Sequence, residues 1–171
     1  MGLKMRFRSP KLVVDEIEML YNKHNLTHFS FIDDQLVIKK KHIIEICNEI
    51  IKRNLNIQFD TPNGVSVVFL DHEVLNALCS AGMTRLSLAI EHGNTYIRNE
   101  VIKKRLTEEK IYDISAETKK YRNLLVRGFF IIGFPEDTPE TLEDTFNMIM
   151  KLDIDRPIVN NLMPFAGTEL F

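Results

Sequence analysis

Apolar positions along the chain alternate between two periods. After Ser9-Pro10, the residues Leu12, Val13, Ile17 and Leu20 recur at helical spacing. A serine N-cap ahead of a proline at the first helical position predicts a helix over about 10–24. Residues 27–32 are β-branched and aromatic and stop abruptly at Asp33-Asp34, which predicts a strand ending in carboxylates. Ile43, Ile44, Ile46, Cys47, Ile50 and Ile51 trace one broad helical face within 40–53, and a short strand is expected at 57–60. Asp71 caps a helix through Val74, Leu75, Leu78 and Cys79 that ends at Gly82, and residues 85–90 form the next strand, closing on Glu91. Thr107 opens a helix predicted to reach Leu124, and 126–132 reads as a strand. Gly133-Phe134-Pro135 then turns the chain toward Thr138-Pro139, a second cap and proline start for a helix over 139–152. The apolar run 158–163 fits a last strand before the turn Pro164-Phe165-Ala166-Gly167-Thr168.

Strands separated by helices run parallel, so the pattern predicts an α/β architecture of about five strands whose C-terminal loops share one functional face. Both a barrel and an open doubly wound sheet satisfy it. The phosphate loops that would favour the second, Gly-x-Gly-x-x-Gly or a P-loop, are absent from the sequence.

Composition narrows the function classes. With 171 residues and 44% hydrophobic positions the chain can build one sizeable core, read as a single domain over 10–171 behind a short start at 1–9. The opening Met1-Gly2-Leu3-Lys4-Met5 reads as a fragment start, because the residues after it do not resemble the first strand of a fold. The net charge of −2 argues against backbone-dominated nucleic-acid binding, and Lys39-Lys40-Lys41 is a solvated helix start. No apolar stretch suits a membrane span or a signal-peptide core, so no membrane partner and a cytoplasmic location are expected. Cys47 and Cys79, both inside helical patterns, offer neither a disulfide framework nor a metal-type spacing and read as buried thiols.

Several strand ends carry groups able to do chemistry: Asp33 and Asp34, Asn63-Gly64, Glu91, and Gly133-Phe134-Pro135. In a parallel sheet all of these lie at one end and converge. Singly each has a plain structural explanation, a helix cap for the carboxylates and a turn for Asn63-Gly64. The run Phe129-Phe130-Ile131-Ile132-Gly133-Phe134-Pro135 is more specific. An apolar strand opens into a glycine, where a planar ligand such as adenine can approach the backbone, and Phe134 offers a ring to a heterocycle.

Arg6-Phe7-Arg8-Ser9-Pro10, Phe31-Ile32-Asp33-Asp34, the segment 71–82, Ala89-Ile90-Glu91-His92-Gly93, Ile131-Ile132-Gly133-Phe134-Pro135-Glu136-Asp137-Thr138 and the final turn occur in the order seen in radical S-adenosylmethionine (radical SAM) enzymes. From Arg6 onward the chain resembles that family, and it looks most similar to the branch whose members often carry an N-terminal cobalamin-binding domain. The resemblance implies a partial parallel (β/α) barrel of radical SAM type. It implies reductive cleavage of SAM at a [4Fe-4S] cluster, giving a 5′-deoxyadenosyl radical that takes a hydrogen atom from a small-molecule substrate. By similarity Glu91 lies near the methionyl amine or ribose of SAM, and Ile131, Gly133 and Phe134 receive the adenine. Asp33, Asp34 and Asn63 lie toward the SAM or substrate end, and Lys104 and Arg105 make further polar contacts.

Departures from the family pattern are Phe129 for a glycine, Glu136-Asp137-Thr138 for Gly-Glu-Thr, and Ala166 for a proline. The larger departure is the missing Cys-x3-Cys-x2-Cys, since three thiolates must converge on one face of the cluster. The expectation is therefore a piece of a radical SAM enzyme truncated after the cluster-binding loop. The first strand and the cluster ligands then lie in the parent protein upstream of Arg6, with a cobalamin also admitted there. Such a piece exposes sheet edges and is expected to self-associate. The competing expectation is a cluster-free scaffold that binds SAM or a nucleotide on the same barrel. A response-regulator-like domain fits less well, because Asp33-Asp34 follows what would be its second strand.

Overall fold

The computed structural model describes residues 5–168. Residues 1–4 of the expected fragment start lie outside the described residues. Helices α1 (Pro10–His24), α2 (Lys40–Lys52), α3 (His72–Ser80), α4 (Glu108–Thr118) and α5 (Pro139–Lys151) alternate with strands β1 (His28–Ser30), β2 (Gln58–Asp60), β3 (Val65–Ser66), β4 (Met83–Glu91), β5 (Leu125–Ile132) and β6 (Arg156–Asn161). A 3₁₀ turn at Val67–Phe69 and a π-helical turn at Ile97–Val101 complete the elements.

The helix starts are where side-chain oxygens can satisfy free amides. Ser9 Oγ accepts from the Leu12 amide, Asp71 from Val74 at 2.9 Å and Thr107 from Lys110, while Thr138 and Thr141 form a reciprocal capping box. Helix ends carry weaker sequence signals. Helix α4 ends at Thr118 rather than Leu124, because the Thr118 hydroxyl donates to the Ser115 carbonyl at 2.6 Å and the next amides reach back only three residues. The helix tightens into turns that deliver the chain to β5. Strand β1 is shorter than 27–32, although the Phe31 amide still reaches the Asp60 carbonyl at 3.0 Å. Strand β6 begins at Arg156, ahead of the apolar run, because pairing to Arg127 through Ile132 sets its register and carries the polar Asn160 and Asn161 into the ladder.

All strand pairs are parallel, in the order β1-β2-β4-β5-β6, with β3 joined to β4 at Val65↔Leu88 and Ser66↔Ala89. The order follows the sequence and never reverses. A doubly wound sheet must reverse, so this is the winding of a barrel arc. Around the outside α1 packs on α2, α2 on α3, and α3 on α4. Leu86, Leu88, Ile90, Val126 and Phe130 belong to the core beneath these helices, each nearly or fully buried and worth roughly 1.5–3 kcal/mol. Arg85, Ser87, Arg127, Phe129 and Ile131 alternate with them and so line the opposite, concave face. That face carries the candidate sites.

Candidate functional site

The end of β5 is held by one carboxylate. Asp137 Oδ2 accepts from the amides of Gly133 at 2.7 Å and Phe134 at 2.9 Å, and Oδ1 accepts from the Thr141 hydroxyl at 2.9 Å. Burial works to raise the Asp137 carboxyl, but the donations from Gly133, Thr141 and Phe134 outweigh it and hold the group below its ordinary range. Gly133 has φ +90°, a conformation that suits glycine, and a Cβ there would meet nothing closer than the Leu162 amide at 3.8 Å. The space in front of the strand end is open.

His92 reaches the same carboxylate from β4, with Nε2 3.0 Å from Asp137 Oδ1. Its ring is fully buried. Nδ1 accepts the Asn94 amide at 3.0 Å, so the single ring proton sits on Nε2 and is donated to Asp137. Burial pushes the imidazole below its ordinary pKa, and the neighbouring Asp137 charge only partly opposes this. The Phe134 ring stands edge-on to His92 with centroids 6.1 Å apart. One neutral His and one carboxylate thus lock the ends of β4 and β5 together.

Glu91 ends β4 at a register shift between Ala89 and Glu91 and takes φ +75°. Such a bulge re-aims a side chain. Its Oε1 lies 2.5 Å from Lys104 Nζ, and both side chains are mostly buried. Lys104 sits between Lys103 and Arg105, each at positive φ, in a loop organised by Arg98. That guanidinium is 0% exposed and donates to the carbonyls of Leu106, His92 and Gly93 at 2.8–2.9 Å and to the Thr95 hydroxyl at 3.1 Å. Asn99 brackets Leu106 through both its amide and its carbonyl. The π-helical turn places Arg98 and Asn99 for these bonds, a common use of such turns at functional sites. Gly93 lets α5 approach, since a Cβ there would lie 2.3 Å from the Thr145 Cα.

The expected site residues therefore fall into two groups. Glu91 and Lys104 pair directly, and Gly133 and Phe134 are tied to them through Asp137 and His92, with Ile131 half-buried on the concave face. Asp33 and Asp34 are exposed and line a separate cavity of about 290 Å³ walled by Arg6, Phe7 and His42. Neither carboxylate caps α2, whose N-cap is Lys39. Asn63 braces that region by donating to the Ile32 carbonyl at 2.9 Å. The residues missed in sequence are His92, Arg98 and Asp137. His92 and Asp137 stand inside motifs that the sequence itself marks out, so their 45-residue separation conceals the pairing, not their identity.

The chain's groups fit SAM and not an iron–sulfur cluster. The open glycine at Gly133, the adjacent Phe134 ring and the Glu91 carboxylate match a heterocycle joined to an aliphatic cation. Cys47 and Cys79 lie in α2 and α3, and burial pushes both thiols up to about 12. Among the described residues no three His, Cys, Asp or Glu side chains could together hold a metal ion. No helix among them is long and apolar enough to cross a membrane.

Known proteins are similar to this chain in sequence and fold. A family model for the radical SAM superfamily matches residues 1–149. The chain is 30% identical over 166 residues to the anaerobic magnesium-protoporphyrin IX monomethyl ester cyclase of Rubrivivax gelatinosus, covering 97% of this chain and 30% of the cyclase. It is 31% identical over 178 residues to the cytidylyl-2-hydroxyethylphosphonate methyltransferase of Streptomyces wedmorensis, covering 99% of this chain and 32% of that enzyme. A solved structure of the radical SAM methyltransferase TsrM from Kitasatospora setae, with cobalamin and a [4Fe-4S] cluster bound, superposes with a TM-score of 0.79 at 20% identity, over 90% of this chain and 31% of TsrM. The chain thus spans about a third of the length of these relatives.

Proposed function

Because the chain belongs to the radical SAM superfamily, we propose that its strand ends form the SAM cradle of a radical SAM enzyme whose cluster thiolates lie outside these 171 residues. The observation that carries the reading is the rigid pairing of the β4 and β5 ends through His92 and Asp137, beside an open Gly133. SAM, when bound and reductively cleaved, supplies a 5′-deoxyadenosyl radical that takes a hydrogen atom from substrate.

The chain's own residues bind and orient. Gly133 offers bare backbone, Phe134 and Ile131 offer apolar contact to adenine, and Asp137 keeps the two strand-end amides from turning away. Glu91 is a carboxylate poised for the methionyl amine, and Lys104 holds it in place through the Arg98-organised loop. Asp33 and Asp34 line the separate cavity, which we assign to the substrate side, and Asn63 braces it through the Ile32 carbonyl. With a cobalamin held elsewhere in the parent, methyl transfer would be one reaction open to it, in keeping with the methyltransferases among its relatives.

The alternative, a cluster-free SAM-binding scaffold, is favoured by one observation, the two inert helical thiols. Anaerobic iron–sulfur reconstitution of the full-length parent, assayed for 5′-deoxyadenosine, separates the readings. The enzyme reading expects product, reduced at least about tenfold by Glu91→Gln, a loss of about 1.4 kcal/mol. No product, together with firm SAM binding by the 171-residue chain in calorimetry, would establish the scaffold instead.

A further inference from the structure

The concave face carries a second polar site toward the N-terminal ends of β4, β5 and β6. Strand register aligns Asp60 with Arg85, Ser87 with Arg127, and Arg127 with Arg156, so these side chains share one face of the sheet. Arg156 is directly opposite Arg127, roughly 4.8 Å away across the strands, and Arg85 lies diagonally from Arg127, one same-face position nearer the start of β4. Three guanidiniums face one carboxylate. Asp60 approaches Arg85 Nη2 at 3.3 Å, and its other oxygen accepts the Ser30 hydroxyl at 2.6 Å. The nearby Asp155 carboxylate is engaged by the Val126 amide at 2.7 Å.

Unmet hydrogen-bonding capacity coincides with the unbalanced charge. Arg127 Nε is buried without a partner, and so is the hydroxyl of Ser87, a residue that is 0% exposed and level with Arg127 across the β4–β5 pair. Buried donors of this kind are normally satisfied. Burial, then the like charge of Arg85 and of Arg156, disfavour the Arg127 guanidinium charge, which Asp60 only partly supports. Arg85 and Arg156 stay exposed, so a solute can reach their guanidiniums. An anion with two or more oxygens suits this cluster, because guanidiniums bind carboxylates and phosphates through paired N–H donors, and the two buried donors lie directly behind it.

We propose that Arg85, Arg127 and Arg156, with Ser87, bind a carboxylate or phosphate at the tail of an elongated substrate whose reacting carbon lies at the strand ends. Ile131 is four residues beyond Arg127 on β5, roughly 13 Å at 3.3 Å per residue, and that spacing sets the length of the substrate. The placement of the reacting end rests on the SAM reading of Glu91 and Gly133, whereas the anion site stands on its own residues.

The test titrates inorganic phosphate and glutarate separately into the 171-residue chain by calorimetry at low ionic strength. Saturable binding of at least one probe is expected, weakened tenfold or more by Arg127→Gln and by the exposed Arg156→Gln, with circular dichroism unchanged. Asp60→Asn should tighten binding several-fold by removing the competing carboxylate, whereas a merely structural Asp60 would weaken it. Preference for phosphate assigns a phosphorylated tail, and preference for glutarate a carboxylated one. No saturable binding of either probe, or equal binding by both arginine variants and the parent chain, overturns the site. Glu91→Gln should leave these titrations untouched, so a failure of the SAM reading would show only in the 5′-deoxyadenosine assay.

Discussion

Histidine 92 shows how much of the site depends on a group being uncharged. Its folded pKa lies below the ordinary value because the ring is buried. An unfolded histidine takes up a proton as the pH falls below about 6.5, and the folded one resists. The stability it contributes is therefore complete above that pH and declines as the pH falls toward the folded value. Asp137, also held low, adds a loss of the same sign as the pH falls through about 4. Urea unfolding between pH 7.5 and 5 should show a falling midpoint, and His92→Gln should flatten that slope. A midpoint independent of pH in the native chain would contradict the neutral imidazole. At this scale the sequence revealed that Glu91, Gly133 and Phe134 stand at strand ends, because strand ends announce themselves by a change of residue type. It hid Arg98, whose partners are backbone carbonyls gathered by an aperiodic loop that no spacing rule reports.

At the level of elements, helices were legible wherever a cap stood ahead of an apolar stripe, as at Ser9, Asp71, Thr107 and Thr138. Strand β3 was not, since two residues carry no period, and the π-helical turn has no sequence signature of its own. The contact between α5 and the β4 loop is equally silent in sequence, yet it is tightly specified. A Cβ on Gly93 would fall 2.3 Å from the Thr145 Cα and 2.6 Å from the Asp144 carbonyl, backbone atoms with nowhere to go. It would also disturb the 3.0 Å bond from the Gly93 amide to the Thr145 hydroxyl. Gly93→Ala should cost about 3 kcal/mol in chemical denaturation, as overpacking does at its upper range, and should loosen α5 in hydrogen exchange. A change below about 0.5 kcal/mol would mean that α5 is not seated as described.

For the whole molecule, parallel α/β layering followed from the alternation of elements. The choice between barrel and doubly wound sheet did not, because it depends on strand order, which is set by pairings distant in sequence. The observed order ends on β1 and β6 among the described residues, while the two-residue β3 pairs with β4 alone. β6 carries Val159 at 47% exposure, and Met163 just beyond it is 71% exposed. Unpaired parallel edges with apolar flanks recruit further strands. The isolated chain should therefore run in light scattering above its 19.9 kDa monomer mass, in a concentration-dependent way. A monodisperse monomer across a tenfold dilution series would show that the edges are covered by other means.

The left-handed backbone at Glu91 bears on a trade between durability and use. A side chain at φ +75° costs roughly 1–2 kcal/mol that glycine would avoid. Of two variants lacking the carboxylate, Glu91→Gly should then be the more stable and Glu91→Ala the less, the reverse of what ordinary strand preference dictates. Both should lose ligand affinity alike. If the glycine form proves the sturdier protein, the glutamate is a residue that the fold tolerates at a loss, and its worth lies wholly in what it grips.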